Sequence, residues 1–173
     1  MSPRRSSPSG TGLTSEYRFC PRCAQPLAAG EYGGTQRLGC ACGFVHWDNP
    51  LPVVAAIVEH EGGVILARNK AWADPKMFGL ITGFLEKGET PEEAVVREVK
   101  EELALDASAA TFVGLYPFER RNELIIAYHV PASGEIRLNE ELADYRRIAP
   151  EKLRPWDFGT GLALRDWLAR RSA

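Results

Sequence analysis

The stretch from Gly83 to Leu105, GFLEKGETPEEAVVREVKEELAL, constrains this chain more than any other part, because it reads as a capped helix with its carboxylates crowded on one side. Thr90, Pro91 and Glu93 predict the helix start. Threonine caps, proline is tolerated at the first helical position, and a glutamate three residues after the cap completes a capping box. Ala94, Val95, Val99 and Leu103 recur at helical spacing and predict the buried side. Glu98, Glu101 and Glu102 stand at i, i+3 and i+4, so their carboxylates share a face one turn apart. Each such like-charge pair costs about 0.2–0.5 kcal/mol on an exposed helix. The cost grows where water is excluded, and a hard divalent cation with several oxygen ligands, such as Mg²⁺, reverses its sign. Arg97 adjoins the cluster and can orient one glutamate without binding metal. Gly83 and Gly88 permit tight turns and a close approach of backbone to ligand. Together these features predict a metal–phosphate site. Taken alone, the helix also fits a solvated charged face with Lys87, Arg97 and Lys100 interleaved.

The spacing decides between the two. Gly83, five residues, Glu89, seven residues, then Arg97-Glu98-Val99-Lys100-Glu101-Glu102 resembles the Nudix box, G-x5-E-x7-R-E-U-x-E-E-x-G-U with U aliphatic. Six fixed polar or glycine positions match, as do aliphatic Val99 and Leu105. The resemblance implies an α/β fold, an α/β/α sandwich around a mixed sheet, in which the box forms a loop–helix–loop that holds Mg²⁺ or Mn²⁺. It implies Glu98, Glu101 and Glu102 as metal ligands, with the Gly83 carbonyl as a further one. Glu89 completes the metal cradle as support, and Arg97 holds Glu98. An acidic residue outside the box often joins the metal in such proteins; Glu141, or its neighbour Glu140, is the candidate here. The implied reaction is attack of water on one phosphorus of a nucleoside-diphosphate compound, with the metals neutralising charge on the diphosphate and the leaving group. Ala104 stands where the family has its last glycine. Alanine there is expected to cost about 1 kcal/mol and removes no ligand.

Around the box the pattern is that of a mixed α/β domain over residues 48–173. Pro52 to Glu59 is a β-branched run, broken at His60-Glu61-Gly62-Gly63 and resumed at Val64 to Ala67, which predicts a hairpin. Further strands are expected at Met77 to Thr82, Thr111 to Tyr116, Leu124 to Val130 and Asp144 to Ile148. Thr160 to Arg171 predicts a terminal helix with Leu162, Leu164, Trp167 and Leu168 as its apolar face. Residues 1–16, rich in Ser, Pro and Gly, read as a disordered tail.

Between them, residues 17–47 hold all four cysteines of the chain. The segment has too few apolar residues for a core of its own, so a metal would supply much of its stability. Cys20-x2-Cys23 and Cys40-x-Cys42, separated by sixteen residues, resemble a zinc ribbon with a structural, four-thiolate Zn²⁺ site. The second knuckle is one residue shorter than the common form, which makes His46 a substitute ligand to consider. A zinc ribbon ahead of a Nudix domain resembles the NADH pyrophosphatase group. Those proteins carry S-Q-P-W-P-F-P after the box, whereas this chain has Gly114-Leu115-Tyr116-Pro117-Phe118-Glu119, which keeps the Pro-Phe pair without the Ser, Gln and Trp. An ADP-ribose-like substrate therefore fits at least as well as an NAD(H)-like one. Phe84, Tyr116 and Phe118 are candidates to stack a base, against the alternative that they are core.

A net charge of −2, from 21 basic and 23 acidic residues, argues against wholesale binding to nucleic acid or an anionic membrane. No apolar run approaches the roughly 20 residues that span a bilayer. Met1 to Ser15 lacks the apolar region of a secretion signal, so a cytoplasmic protein is expected. The expected partner is a small-molecule nucleotide, with nucleic acid not expected and a homodimer consistent with the resemblance. Two other functions compete. One is a zinc-ribbon module that binds nucleic acid through Arg18, Arg22 and Arg37 and only senses a ligand, although three arginines are few for tracking phosphates. The other is nucleoside triphosphate pyrophosphohydrolysis.

Overall fold

One strand organises the larger part of the molecule. Leu51–His60 (β4) is apolar on both faces, with Val54, Ala55, Ala56, Ile57 and Val58 fully buried, as expected of a strand covered on both sides. The computed structural model describes residues 17–107 and 109–171. The tail expected over residues 1–16 lies outside them. The chain divides into two compact units between Asn49 and Pro50.

The first unit is a three-stranded antiparallel sheet of Ala28–Tyr32 (β1), Thr35–Gly39 (β2) and Val45–His46 (β3). Gly33 and Gly34, both at positive φ, make the two-residue turn between β1 and β2.

The second unit is a mixed sheet of seven strands between two helices. The remaining strands are Gly63–Asn69 (β5), Ile81–Phe84 (β6), Asp106–Ala107 (β7), Thr111–Phe118 (β8), Glu123–Ser133 (β9) and Leu142–Ile148 (β10). β9 runs parallel to β4 along one edge, from Leu51↔Glu123 to Glu59↔Pro131. The other edge of β4 is shared: β6 pairs with Val53 to Ala56, and β5 pairs only with Glu59 and His60. β5 and β6 thus diverge from a common edge, and the segment between them crosses the fork. β10 extends the sheet beyond β5, while β8 and β7 pair with β9.

The expected hairpin, box helix and terminal helix all form. Met77 to Thr82 differs: the strand is Ile81–Phe84 and runs through Gly83, and Met77 to Leu80 approach it as loop with one bridge, Ala67↔Gly79. The apolar character of Met77 and Phe78 is spent on a cavity wall and not on strand pairing. β7 is too short for periodicity to reveal.

The helix Pro91–Leu103 (α1) covers one face of the sheet. The Thr90 hydroxyl accepts from the Glu93 N–H at 3.3 Å, and the Glu93 carboxylate accepts from the Thr90 N–H at 2.8 Å. Ala94, Val95, Val99 and Leu103 are fully buried against Val54, Ala56, Val58 and Val130. Full burial stabilises by about 1.5–3 kcal/mol for each large side chain, and it fixes which way the polar face of α1 points. The helix Thr160–Arg171 (α2) covers the opposite face, with Ala163, Leu164 and Trp167 packed on Ala55, Ile57, Ile125 and Ala127. Leu162 and Leu168 are only half-buried at the margin.

Ala104 closes α1 in the left-handed region, at φ 59° and ψ 14°, and donates to the Lys100 carbonyl at 3.0 Å. An L-residue is strained there where glycine is not. Ala104→Gly is expected to raise unfolding stability by about 0.5–1 kcal/mol. Chemical denaturation of the two proteins reads this directly, and an unchanged or lower midpoint would contradict it.

Candidate active site

Burying the apolar side of α1 turns Glu98, Glu101 and Glu102 toward a cavity of about 700 Å³, whose wall also carries Gly83, Phe84 and Glu141. Arg97 organises the carboxylates. Its Nε and Nη2 donate to the two oxygens of Glu89 at 3.1 and 2.8 Å, and its Nη1 donates to Glu98 at 2.7 Å and Glu101 at 3.1 Å. Nη2 also donates to the Phe84 carbonyl at 3.2 Å. Glu89 further accepts from the Glu86 N–H at 2.7 Å. Both Glu89 oxygens are thus engaged in bracing Arg97, and Glu89 does not line the cavity that the other carboxylates share. Arg97, followed by the Glu86 backbone N–H, holds the Glu89 carboxyl below its ordinary range.

Glu102 differs from its neighbours: it is 8% exposed. Burial first, then the charges of Glu98, Glu141 and Glu101, push its carboxyl up to about 8. Burial also raises Glu98, against the pull of Arg97. A set of hard oxygen donors whose mutual repulsion raises proton affinity fits a divalent cation such as Mg²⁺ or Mn²⁺, which relieves that repulsion as a proton does.

Of the two acidic candidates outside the box, the fold brings Glu141 to the cluster. The loop before β10 is tied to the end of α1 by Arg137 N–H to Leu103 carbonyl (2.9 Å) and Asn139 N–H to Glu102 carbonyl (3.2 Å). The Asn139 side chain then accepts from the Glu141 N–H at 3.0 Å. Glu140 offers only its carbonyl, to Lys70 Nζ at 2.5 Å, and does not line the cavity.

Gly83 meets the cluster from β6, where a Cβ would overlap the Glu98 carboxyl. Gly83→Ala is expected to displace Glu98 and lower kcat roughly 10- to 100-fold, since misplacement of about 1 Å is enough. A variant with wild-type kcat would show that Glu98 need not sit there.

A second cavity, of about 430 Å³, shares Val53, Trp72, Leu80, Thr82, Arg121 and Glu123 with the first. Phe118 lines it and stacks on Phe158, with centroids 6.3 Å apart and planes at 21°. Phe84 is 53% exposed at the first cavity. Tyr116 corrects the sequence expectation. It is buried under α2, where its hydroxyl donates to Asp166 at 2.9 Å, and it lines neither cavity. It reaches the same apolar layer as Val113, three residues earlier, because the register of β8 shifts between Phe112 and Gly114 and breaks the alternation there.

The NUDIX domain family matches residues 49–168. The chain belongs to that family.

Among relatives of this Nudix chain, "NAD-capped RNA hydrolase NudC" of Stutzerimonas stutzeri (strain A1501) is 31% identical over 135 residues, covering 76% of the chain and 48% of the relative. The protein of the same name from Pseudomonas putida (strain W619) is 29% identical over 163 residues, covering 91% and 58%. The chain thus spans about half the length of the curated relatives it matches. In fold it is similar to a NUDIX hydrolase from Nitrosomonas europaea, with a TM-score of 0.77 at 21% identity over 90% of this chain and 93% of the other.

In the first unit of this Nudix protein, Cys20, Cys23, Cys40 and Cys42 bring their sulfurs within 4.8 Å of one another. Cys20 lies 3.6 Å from Cys42 and Cys23 lies 3.5 Å from Cys40, close to the edge of about 3.8 Å that tetrahedral zinc–thiolate bonds require. The four-cysteine cluster is consistent with a small zinc site. The short second knuckle still reaches, because Gly43, at φ 88°, turns back to donate to the Cys40 carbonyl. His46 is outside the cluster, its ring tilted at 39° against that of Tyr17 with centroids 4.5 Å apart, and it lies 3.8 Å from Asp48. Burial raises the Cys20 thiol, but N–H donation from Arg22 and Cys23 and bonds from the other thiols outweigh it and bring it down to about 7, which favours thiolate.

The arginines of the competing nucleic-acid reading are partly committed elsewhere. Arg37 donates to the Tyr32 and Trp47 carbonyls, and Arg22 lies over the Phe44 ring. No helix among the described residues is long and apolar enough to cross a membrane. Sequence reasoning missed Trp72, Trp156, Phe158 and Glu123, which reach the cavities from separate segments with no shared period.

Proposed function

We propose that this Nudix protein is an enzyme that, with Mg²⁺ or Mn²⁺, hydrolyses the diphosphate linkage of a nucleoside diphosphate joined to a second moiety, ADP-ribose-like or NAD(H)-like, releasing a nucleoside monophosphate. The observation that carries this reading is the convergence of Glu98, Glu101, Glu102 and Glu141 on one cavity that shares walls with an aromatic one. In this reading Glu98, Glu101, Glu102 and Glu141 hold the ion, with Gly83 giving it room. When bound, the ion supplies charge stabilisation to the diphosphate and lowers the pKa of water. Arg97, braced by Glu89, keeps Glu98 and Glu101 oriented before substrate arrives, so less reorganisation is left for the reaction itself. One carboxylate of this cluster would take up the proton as water attacks phosphorus.

The names of the relatives support an NAD-like end and bring NAD-capped RNA into the substrates to be tested, although composition alone argues against nucleic acid. Zn²⁺ on the four cysteines has a structural role, since a closed four-thiolate site leaves no open position. A thiolate zinc site fits a reducing, cytoplasmic setting. Self-association as a homodimer goes with the family resemblance and is read by light scattering on the same preparation.

Products from ADP-ribose, NADH, NAD, NAD-capped RNA and a panel of nucleoside triphosphates, each with Mg²⁺, test the proposal. AMP from at least one diphosphate compound is the expected result. Pyrophosphate from a triphosphate would move the assignment to triphosphate hydrolysis. Silence on the whole panel with Mg²⁺ and Mn²⁺, together with salt-sensitive RNA binding, would leave the binding module instead.

A further inference from the structure

Glu123 is a carboxylate where the strand pattern calls for an apolar residue. It opens β9 on the same face as Ile125 and Ala127, which are core, and it is itself 8% exposed. It is not among the charges that act on Glu98 or Glu102, and it lines both cavities where they share walls. Burying a carboxylate is costly unless its charge is met. Here Arg121 meets it from one side, with Nε 3.0 Å from Oε1. A carboxylate has about four lone-pair sites, so one such contact leaves acceptor capacity facing the cavity. The surrounding walls carry Trp72, Phe78, Phe118, Trp156 and Phe158, flat apolar surfaces of the kind that bind planar rings. A volume of about 430 Å³ suits a ring with its sugar and lies within the range of small-ligand pockets.

We propose that the aromatic cavity receives the planar ring of the nucleotide, and that Glu123, oriented by Arg121, selects rings bearing an N–H donor by accepting a hydrogen bond from it. The proposal rests on the carboxylate-lined cavity being the diphosphate site, because the walls shared by the two cavities then place one end of the substrate in each. Two ring types carry such a donor: an aminopurine, through its exocyclic amine, and nicotinamide, through its carboxamide. In either case the acceptor is a charge buried among apolar groups, so loss of the donor leaves it unmatched.

The test needs no turnover. AMP and its 6-desamino analogue, purine riboside monophosphate, form one pair; nicotinamide mononucleotide and nicotinic acid mononucleotide form the other. Each is titrated into the full chain, with binding followed by quenching of tryptophan fluorescence from Trp72 and Trp156. In one pair the amine- or amide-bearing member is expected to bind roughly 10- to 100-fold more tightly than its partner. The pair that shows the gap identifies the ring. The gap should shrink in Glu123→Gln and close in Glu123→Ala. No gap in either pair with wild-type protein overturns the proposal without any variant having to fold. A gap that persists in folded Glu123→Ala overturns it as well. Because binding is read without hydrolysis, a gap in a protein that turns over nothing would retain the pocket and remove the hydrolase reading, and turnover without a gap would do the reverse.

Discussion

Glu102→Gln is expected to reduce hydrolysis on the order of 10²–10³-fold and, in the absence of divalent ions, to make the protein more stable at alkaline pH. The two effects have one origin. The Glu102 carboxyl is held up to about 8 by burial and by the charges of Glu98, Glu141 and Glu101, against an ordinary value of 4.5 in the unfolded chain. Between those two values the native state keeps a proton that the unfolded state has released. Stability therefore falls as pH rises from about 4.5 to about 8, by at most about 5 kcal/mol. Glutamine carries no such charge, so the variant escapes that loss. Below pH 4.5 both states of the wild type are protonated, and the two proteins should unfold alike. Addition of Mg²⁺ at pH 8 should stabilise the wild type by mass action and move the variant much less. Thermal unfolding at pH 4, 6 and 8, with and without Mg²⁺, checks every part. A variant that is less stable than wild type at pH 8 without metal would show that Glu102 is not held in an unfavourable charged environment.

Removal of zinc is expected to unfold the first unit outright. In residues 17–49 the only buried hydrophobic side chain is Cys20, which is itself one of the four thiols. The three strands of that unit thus have no apolar core to rest on, and backbone pairing alone is marginal at this size. Metal binding to such a site contributes an apparent 10–16 kcal/mol or so, on the scale of the whole stability of a typical domain, about 5–15 kcal/mol. A strong chelator, or Cys20→Ser, should abolish hydrogen-exchange protection of the Thr35–Gly39 amides while leaving that of β4 and β9 in place, because the latter strands sit between two apolar layers of their own. Full protection of Thr35–Gly39 after measured loss of all bound zinc would rule out a structural metal.

Much of the architecture can be read from local pattern. The capping box at Thr90, the buried stripe from Ala94 to Leu103 and the terminal helix each follow from residues close together in the chain, and the structure bears them out. The face on which Glu98, Glu101 and Glu102 gather follows in turn from that stripe, because burying one side of a helix settles where the other points. Where pattern failed, the deciding contact was distant. Met77 and Phe78 look like strand residues but serve a cavity wall, Tyr116 turns inward to Asp166 fifty positions away, and Glu123 resembles any acidic residue at a strand start. No periodicity connects Trp72 with Trp156 or Phe158; only the closing of the sheet does. Glu141 is an intermediate case. Its residue type and rough position suggested it, but its choice over Glu140 depends on hydrogen bonds from Arg137 and Asn139 to the end of α1.

The shared edge of β4 has an evolutionary consequence. The segment that bridges the fork between β5 and β6 supplies Trp72, Lys76, Met77 and Phe78 to the aromatic cavity, and it is shaped locally by turns such as Lys76 N–H to Asp74 at 2.8 Å. It carries no residue of the acidic cluster, and only Phe78 and Leu80 at its end join an apolar layer, the one under α2. Mutations there can accumulate without unsettling the helix that holds the carboxylates. Diversification of what such a protein accepts can therefore proceed independently of what it does, with the bridge as the variable module and α1 as the invariant one. A library confined to residues 70–77 is the economical place to look for altered preference.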